Sequence, residues 1–346
     1  MRVYFVVHGA RWYPDVLDRI KCPATTIRSV VLRPPRRRSS KFGVIAGLAL
    51  HELRDVFRLL PLALRNDGET VFVCATSHYS ALLSARIASA LGRPSAVFLF
   101  NFYLHEMGER AVVRRALKSL MRGRVGIVVQ SPSEVDYFLR LAPHAFVAHE
   151  SWGMGPIAAL SDAVDEGDYV FSGGYSNRDY HLVVAAAAAL PQVPFVLACR
   201  TASRLPPDLP PNIRVVRDAP WDAFHHLLAA ARLVVLPLKR DVGSSGQMVA
   251  LAAMQAGKCT IYSDVSVVGQ YFENGQTGIA CPIGNAARMA ELIDHWYQNR
   301  IGAECIGQAA KSAAATFSAD AFESAVARHA SAFIARETGE HDGARP

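Results

Sequence analysis

Residues 243–278, GSSGQMVALAAMQAGKCTIYSDVSVVGQYFENGQTG, pass from a small-residue loop through a helical segment into a β-branched strand. Gly243, Ser244, Ser245 and Gly246 allow close approach to the backbone, and a helix opening near Gln247 presents first-turn N–H groups with the positive end of its dipole. Such a junction can take an anion; it can equally be a plain turn and N-cap. Met248, Leu251, Ala252 and Gln255 follow helical spacing, Gly257 stops the helix, and Cys259–Tyr262 reads as a short buried strand. The stretch therefore reads as part of an αβ unit in a parallel sheet.

Outward from it, the same alternation recurs. The strand signals YVFSGG (169–174), PFVLAC (194–199), IRVV (213–216), LVVLPL (233–238), CTIYSD (259–264) and GIAC (278–281) are separated by helical segments. An earlier series runs from RVYFVV (2–7) through a helix near 42–65, TVFVCAT (70–76), a helix near 79–91, SAVFLFNF (95–102), a basic helix and VGIVVQS (125–131). Residues 143–168, with two prolines and three glycines and no sustained period, read as the connection between the two series. The expected fold is α/β: two facing doubly wound parallel-sheet, Rossmann-like domains over 1–150 and 165–317. In such sheets ligands sit beyond the carboxyl ends of the strands. This singles out His8, Gly9, Ser77, His78, Asn101–Glu106 and Ser131 in the first domain. In the second it singles out Gly173–Arg178, Arg200, Asp218–Trp221 and Lys239–Gln247.

From about Tyr169 to Trp296 the chain resembles the nucleotide-sugar-binding domain of GT-B glycosyltransferases, family 4 in particular. VFSGGYSNRDYHLVVAAAAAL (170–190) is similar to that family's opening strand, glycine turn and helix; NIRVVRDAPWDAFHHLLAAARLVVLPL (212–238) to its unit closing on Leu-Pro; and residues 243–281 to its donor loop and Glu-Asn-Gly-x-Thr-Gly closure. The resemblance implies a bacterial, metal-independent glycosyltransferase without cofactor, moving a sugar from a nucleotide-diphosphate sugar to a glycan or lipid-linked acceptor in cell-surface polysaccharide synthesis. It also implies that the last helix, 318–336, crosses back to the first domain. Donor contacts then fall on Gly173, Gly174, Arg178, Lys239, Gly243, Ser244, Ser245, Gly246 and Gln247. Arg178 could place its guanidinium on phosphate oxygens, or could be a surface residue in a helix's first turn. His8, Gly9, His78 and Asn101 fall on the acceptor side, with Glu106, His105 or His78 as the catalytic base if the reaction inverts, and with Glu106 and His105 as a helix cap if they have no catalytic part.

Departures from the family are clear. Its two glutamates, the second of which holds the ribose, fall on Ser244 and Ala252, so either Gln247, Gln255 or another loop holds the nucleoside, or the chain belongs to a divergent branch. Its basic residue after the first glycine is Tyr175, and its first-domain histidine is Asn101. These losses motivate a second reading, a catalytically silent GT-B protein that binds nucleotide or glycan and supports a partner enzyme. A UDP-sugar epimerase of the same layout lacks its acid-rich site here.

Composition bounds the rest. With 346 residues, 51% hydrophobic and 19% charged, the chain supports two cores. Six cysteines stand singly, without the spacing of a zinc site or disulfide framework, which fits a reducing cytoplasm. The N-terminus has too short an apolar run for a signal peptide, and no segment is long enough to span a bilayer. The net charge of +7 is concentrated in Arg33–Lys41 and in Arg110, Arg114, Lys118 and Arg122, which share one helix face. That face reads as solvated, or as a peripheral contact with anionic lipid on the inner membrane surface. No motif that reads DNA or RNA accompanies it, so nucleic acid is not an expected partner.

Overall fold

A computed structural model describes residues 1–8, 14–21, 26–32, 41–65, 69–76, 78–102, 111–160, 166–241 and 243–338. Packing divides the chain into two compact units. The first comprises Met1–Glu150 together with the chain from Glu323 onward, and the second comprises Ser151–Phe322.

The first unit is built on β1 (Arg2–His8), α1 (Pro14–Arg19), β2 (Thr26–Leu32), α2 (Lys41–Leu64), β3 (Thr70–Cys74), α3 (His78–Ala90), β4 (Ser95–Leu99), α4 (Ala111–Leu120), β5 (Arg124–Val129), α5 (Pro132–Leu141) and β6 (Phe146–His149). Its strands form one parallel sheet in the order β2-β1-β3-β4-β5-β6. The central strands β3 and β4 are buried along their whole length and, after Thr70 and Ser95, apolar, because both faces are covered, as parallel sheets require. Leu59, Leu82, Leu117 and Phe138, from α2, α3, α4 and α5, fill one face with Phe72, Leu99 and Ile127.

β2 and β6 are absent from the run of strand signals read in the sequence, and β6 lies inside the segment read as the connection. Both are edge strands. β2 carries exposed Arg28, Ser29 and Val31, and β6 is half-buried along its length, so neither shows the continuous apolar run that marks the inner strands.

The second unit carries β7 (Val170–Gly173), α6 (Tyr180–Ala189), β8 (Phe195–Cys199), β9 (Ile213–Arg217), α7 (Trp221–Ala230), β10 (Leu233–Leu236), α8 (Gln247–Gln255), β11 (Thr260–Ser263), α9 (Ser266–Gly269), β12 (Ile279–Cys281), α10 (Ala286–Gln298) and α11 (Arg300–Ala314). All six strand signals of this half are strands of one parallel sheet, in the order β12-β11-β10-β7-β8-β9. The fold class expected from the sequence is thus present: two parallel six-stranded sheets with flanking helices. The order reverses between β7 and β10, and in the first sheet between β1 and β3. Loops leaving the carboxyl ends of those strands diverge and open a crevice within each unit.

The last helix, α12 (Ala319–Thr338), starts in the second unit and continues into the first. There Phe333 is fully buried against Phe98 and Phe146, with ring centroids 5.6 and 6.1 Å away. Gly126 leaves room for it, since a Cβ there would stand 2.8 Å from the Phe333 ring. Arg124 ties the helix to the sheet through Glu337 and Glu69, and His329 Nε2 lies 2.8 Å from Glu150.

Candidate functional site

The switch point of the second sheet brings together the turn after β7 and the segment after β10. β7 ends at Gly173, and Gly174 follows with φ +119°, a backbone region in which a side chain is strained. The turn closes through Asn177, at φ +56°, onto Asp179, whose carboxylate accepts from Leu182 N–H as the N-cap of α6.

Arg178 is not on the surface. Only 8% exposed, it donates from Nε to the Gly173 carbonyl at 2.8 Å and from Nη1 to the Ser176 carbonyl at 2.8 Å. Tyr180 Oη donates to Gly174 O at 2.7 Å, so two side chains hold the carbonyls of one glycine turn. No carboxylate of the described residues pairs with Arg178. Burial draws its pKa down to about 10, which leaves the guanidinium charged at neutral pH. It is a buried cation whose described partners are neutral carbonyls.

Gly174 is what lets it lie there. A Cβ at 174 would stand 2.4–2.7 Å from three guanidinium atoms of Arg178. Gly174→Ala is therefore expected to cost about 1–3 kcal/mol of stability, read as a lowered urea midpoint. An unchanged midpoint would show that the turn has another arrangement.

The second wall follows β10. Residue 178 forms an antiparallel bridge with Leu238, Lys239 N–H donates to Asn177 O at 3.0 Å, and Asn177 Nδ2 donates to Arg240 O at 2.7 Å. These bonds set the exposed Lys239 beside the glycine turn. Asp241 is held by Ser266, accepting from its N–H at 3.0 Å and its hydroxyl at 2.8 Å. Beyond it, Gly243 and Gly246 have φ of +62° and +98°, Ser244 and Ser245 lie half-buried, and Gly246 is the N-cap of α8 without a side-chain cap. The N–H groups of Val249 and Ala250 donate to Gly246 O at 3.1 and 3.0 Å, which fixes the first turn of α8 on the loop. Gln247 is buried.

Gly246 has a structural duty of its own. A Cβ on it would meet Val268 Cγ2 at 2.9 Å. A bulky residue at 246 thus strains the start of α8 whether or not a ligand binds there, and Arg178 is the cleaner probe of the site.

Of the residues open for the nucleoside, Gln255 is engaged elsewhere. Its Oε1 accepts from Ile157 N–H at 3.0 Å and its Nε2 donates to Gly155 O at 3.1 Å, pinning the segment before β7 to α8. Ala252 is fully buried in the core.

At the ends of β7, β8 and β9 stand Tyr175, Arg200, Asp218 and Trp221, all among the strand-end residues singled out in the sequence; what the sequence does not reveal is that Arg200 meets Tyr175. Arg200, just past β8, sets its guanidinium 4.3 Å from the centroid of the Tyr175 ring. Tyr175, which replaces the family's basic residue, thus carries a cation contributed by the neighbouring strand end. Asp218, at φ +50°, accepts from Thr201 Oγ1 and from Thr201 N–H, bonds that hold its carboxyl below the ordinary range. Trp221 is 52% exposed and rests on the His225 ring at 4.2 Å. Two exposed aromatic side chains and a guanidinium therefore stand at adjoining strand ends. The available signal was that Tyr175, Arg200 and Trp221 each follow a strand.

In the first unit, His78 lies against the end of β4, with Nε2 3.0 Å from the carbonyl of Phe100 and its ring meeting Phe102 edge-on at 5.1 Å. Asn101 sits at φ +56° with Oδ1 accepting from Gln130 Nε2 at 3.2 Å. His8 is the last residue of β1, at the switch point. Gly9, His105, Glu106 and Arg110 lie outside the described residues. Among the described residues no group of three or more His, Cys, Asp or Glu side chains is placed to hold a metal ion.

A cavity of about 520 Å³ lies at the opposite, amino ends of β7, β10 and β11, lined by Asp168, Arg232, Lys258 and Arg300 among others. Arg232 pairs with Asp168 at 2.7 Å, and Arg300 pairs with Glu166 and with Glu304, the latter at 3.1 Å. It is not where strand-end loops converge, and its arginines are already matched by carboxylates.

Residues 207–313 match the family model described as glycosyl transferases group 1. Among solved structures, the chain is similar to sucrose-phosphate synthase from Thermosynechococcus elongatus, at 14% identity over 99% of this chain and 100% of that one, with a TM-score of 0.64. It is also similar to a glycosyltransferase from Rickettsia africae, at 11% identity over 98% and 99% of the two chains and a TM-score of 0.62. HepE of Anabaena, in complex with UDP-glucose, aligns at 16% identity over 96% of this chain and 100% of that one, with a TM-score of 0.62. No curated protein sequence is matched by the chain.

Proposed function

We propose that this chain, whose residues 207–313 match the glycosyl transferases group 1 model, is a glycosyltransferase of the GT-B fold that transfers a sugar from a nucleoside-diphosphate sugar to a glycan or lipid-linked acceptor, without a metal, in cell-surface polysaccharide synthesis. One observation carries the donor half of this reading: Arg178 is a buried guanidinium with no carboxylate partner among the described residues, beside a Gly/Ser loop that opens α8. A diphosphate between them supplies the missing negative charge. As the bond from the sugar to phosphate breaks, charge grows on the departing diphosphate. Donors already oriented on it then stabilise the transition state more than the ground state. Lys239 is the second cation in reach of the same loop.

Tyr175, Arg200 and Trp221 suit the nucleobase, as flat faces beside the phosphate site. The complexes of HepE with UDP and with UDP-glucose support a uridine donor as the first to try. On the acceptor side, His8, Gly9, His78 and Asn101 are the residues we assign. In the neutral ring of His78, donation from Nε2 to Phe100 O puts the basic lone pair on Nδ1. An inverting reaction would draw its base from His78, His105 or Glu106; a retaining one needs none.

The test is calorimetry with UDP, GDP, ADP and dTDP, followed by donor turnover with the matching nucleotide sugar in the presence of EDTA. Micromolar-range binding of one nucleotide and turnover insensitive to chelation are expected. Failure of all four nucleotides to bind the folded protein would remove the donor assignment, and turnover abolished by EDTA would remove its metal independence.

A further inference from the structure

The outer layer of the first unit has a character that donor binding does not explain. α3 packs between α2 and α4, so the three helices form one layer. Along α2, Leu50, Leu53 and Phe57 recur at i, i+3 and i+7 and face solvent, at 63%, 52% and 74% exposure. α3 exposes Tyr79 and Leu83, at 38% and 36%, and α4 exposes Val112, at 76%. Such a run of large apolar side chains on neighbouring helices is more than isolated surface residues.

The charges around it are of one sign. Arg58 on α2, Arg86 on α3, and Arg114, Arg115 and Lys118 on α4 are exposed, with Arg122 just beyond. The three helices contain two acidic residues, Glu52 and Asp55. Glu52 accepts from Ser80 N–H at 2.8 Å, and Asp55 is fully buried beside His51, at 3.3 Å. The layer therefore shows arginine, lysine and apolar side chains to solvent without an exposed carboxylate.

We infer that the α2–α3–α4 layer docks on an anionic lipid surface, with the Leu50–Leu53–Phe57 stripe entering the headgroup region and the flanking arginines and Lys118 meeting lipid phosphates. Charge complementarity selects the lipid. The cations spread over three helices match a field of phosphates, and their long stems let them reach it while the apolar stripe lies deeper. A nucleic acid would satisfy the cations and leave Leu50, Leu53 and Phe57 without a partner. No helix of the described residues is long and apolar enough to cross a membrane. The inference is independent of the donor reading, which concerns the second unit.

The test is co-sedimentation of the full chain with phosphatidylcholine vesicles, with and without one-third phosphatidylglycerol, at low and high salt. The wild type is expected to bind the anionic vesicles in a salt-sensitive manner and the neutral ones far less. Joint replacement Arg58→Glu, Arg86→Glu, Arg114→Glu and Lys118→Glu should weaken partitioning by roughly fivefold per cation. Joint replacement Leu50→Ser, Leu53→Ser and Phe57→Ser should leave low-salt attraction and abolish the fraction that resists high salt. Circular dichroism and nucleotide affinity, set by the second unit, control for folding. Equal binding to neutral and anionic vesicles, no vesicle binding by the wild type, wild-type binding by both folded variants, or capture of RNA in preference to vesicles would each overturn the inference.

Discussion

Arg178→Ala is expected to weaken nucleoside-diphosphate binding by about 10- to 150-fold, the equivalent of a lost charge-assisted hydrogen bond of about 1.5–3 kcal/mol. The effect has two sources. The cation that neutralises phosphate disappears, and so do the Nε and Nη1 bonds to Gly173 O and Ser176 O that hold the turn around it. Arg178→Lys separates them, since an ammonium keeps the charge but cannot reproduce the planar fork on two carbonyls. Its affinity should fall between wild type and alanine. With the guanidinium pKa near 10, wild-type affinity should not change through the titration of Arg178 at neutral pH, and should decline only as pH approaches that value. Calorimetry checks the affinities and circular dichroism the fold. A folded Arg178→Ala protein that binds as the wild type does would transfer the phosphate role to Lys239 or to the loop alone.

Phe333→Ala carries the largest expected loss of stability, about 3–5 kcal/mol. The ring is fully buried between Phe98, Phe146 and the bare backbone of Gly126, in a sheet too rigid to close over the void. The transition of the first unit should fall by roughly 6–20 °C, at about 2–4 °C per kcal/mol for a unit of this size. Nucleotide binding by the second unit should survive at low temperature, which distinguishes a detached last helix from general unfolding. Scanning calorimetry with and without nucleotide reads both. An unshifted first-unit transition would show that α12 contributes little to that core.

Much of the second unit was legible because its signals are local. Six runs of four to six residues rich in Val, Ile, Leu and Phe became the six strands, and all but the edge strand β9 are mostly buried, as coverage on both faces requires. Gly243 and Gly246 marked the loop before α8 because left-handed backbone selects glycine, and the helix start followed from the spacing after it. In the first unit, the edge strands β2 and β6 escaped because half-exposed strands mix polar and apolar residues over too few positions to show a period.

By itself, then, the sequence determined the elements that are encoded between neighbours along the chain: inner strands, glycine turns, helix starts and the small-residue loop. Only the tertiary structure decided what meets across it. Sheet order put β7 beside β10, so Arg178 came against Leu238 and is left 8% exposed, and it put β8 beside β7, so Arg200 came over Tyr175. Gln255, equally placed on paper to hold a nucleoside, was taken by the backbone of residues 155 and 157. The apolar stripe of α2 reads in sequence like any core-facing helix, and its exposure follows from which of its faces the sheet covers. The reason is common to all four. Burial and charge environment are set by long-range packing, and residues tens of positions apart carry no local mark of it.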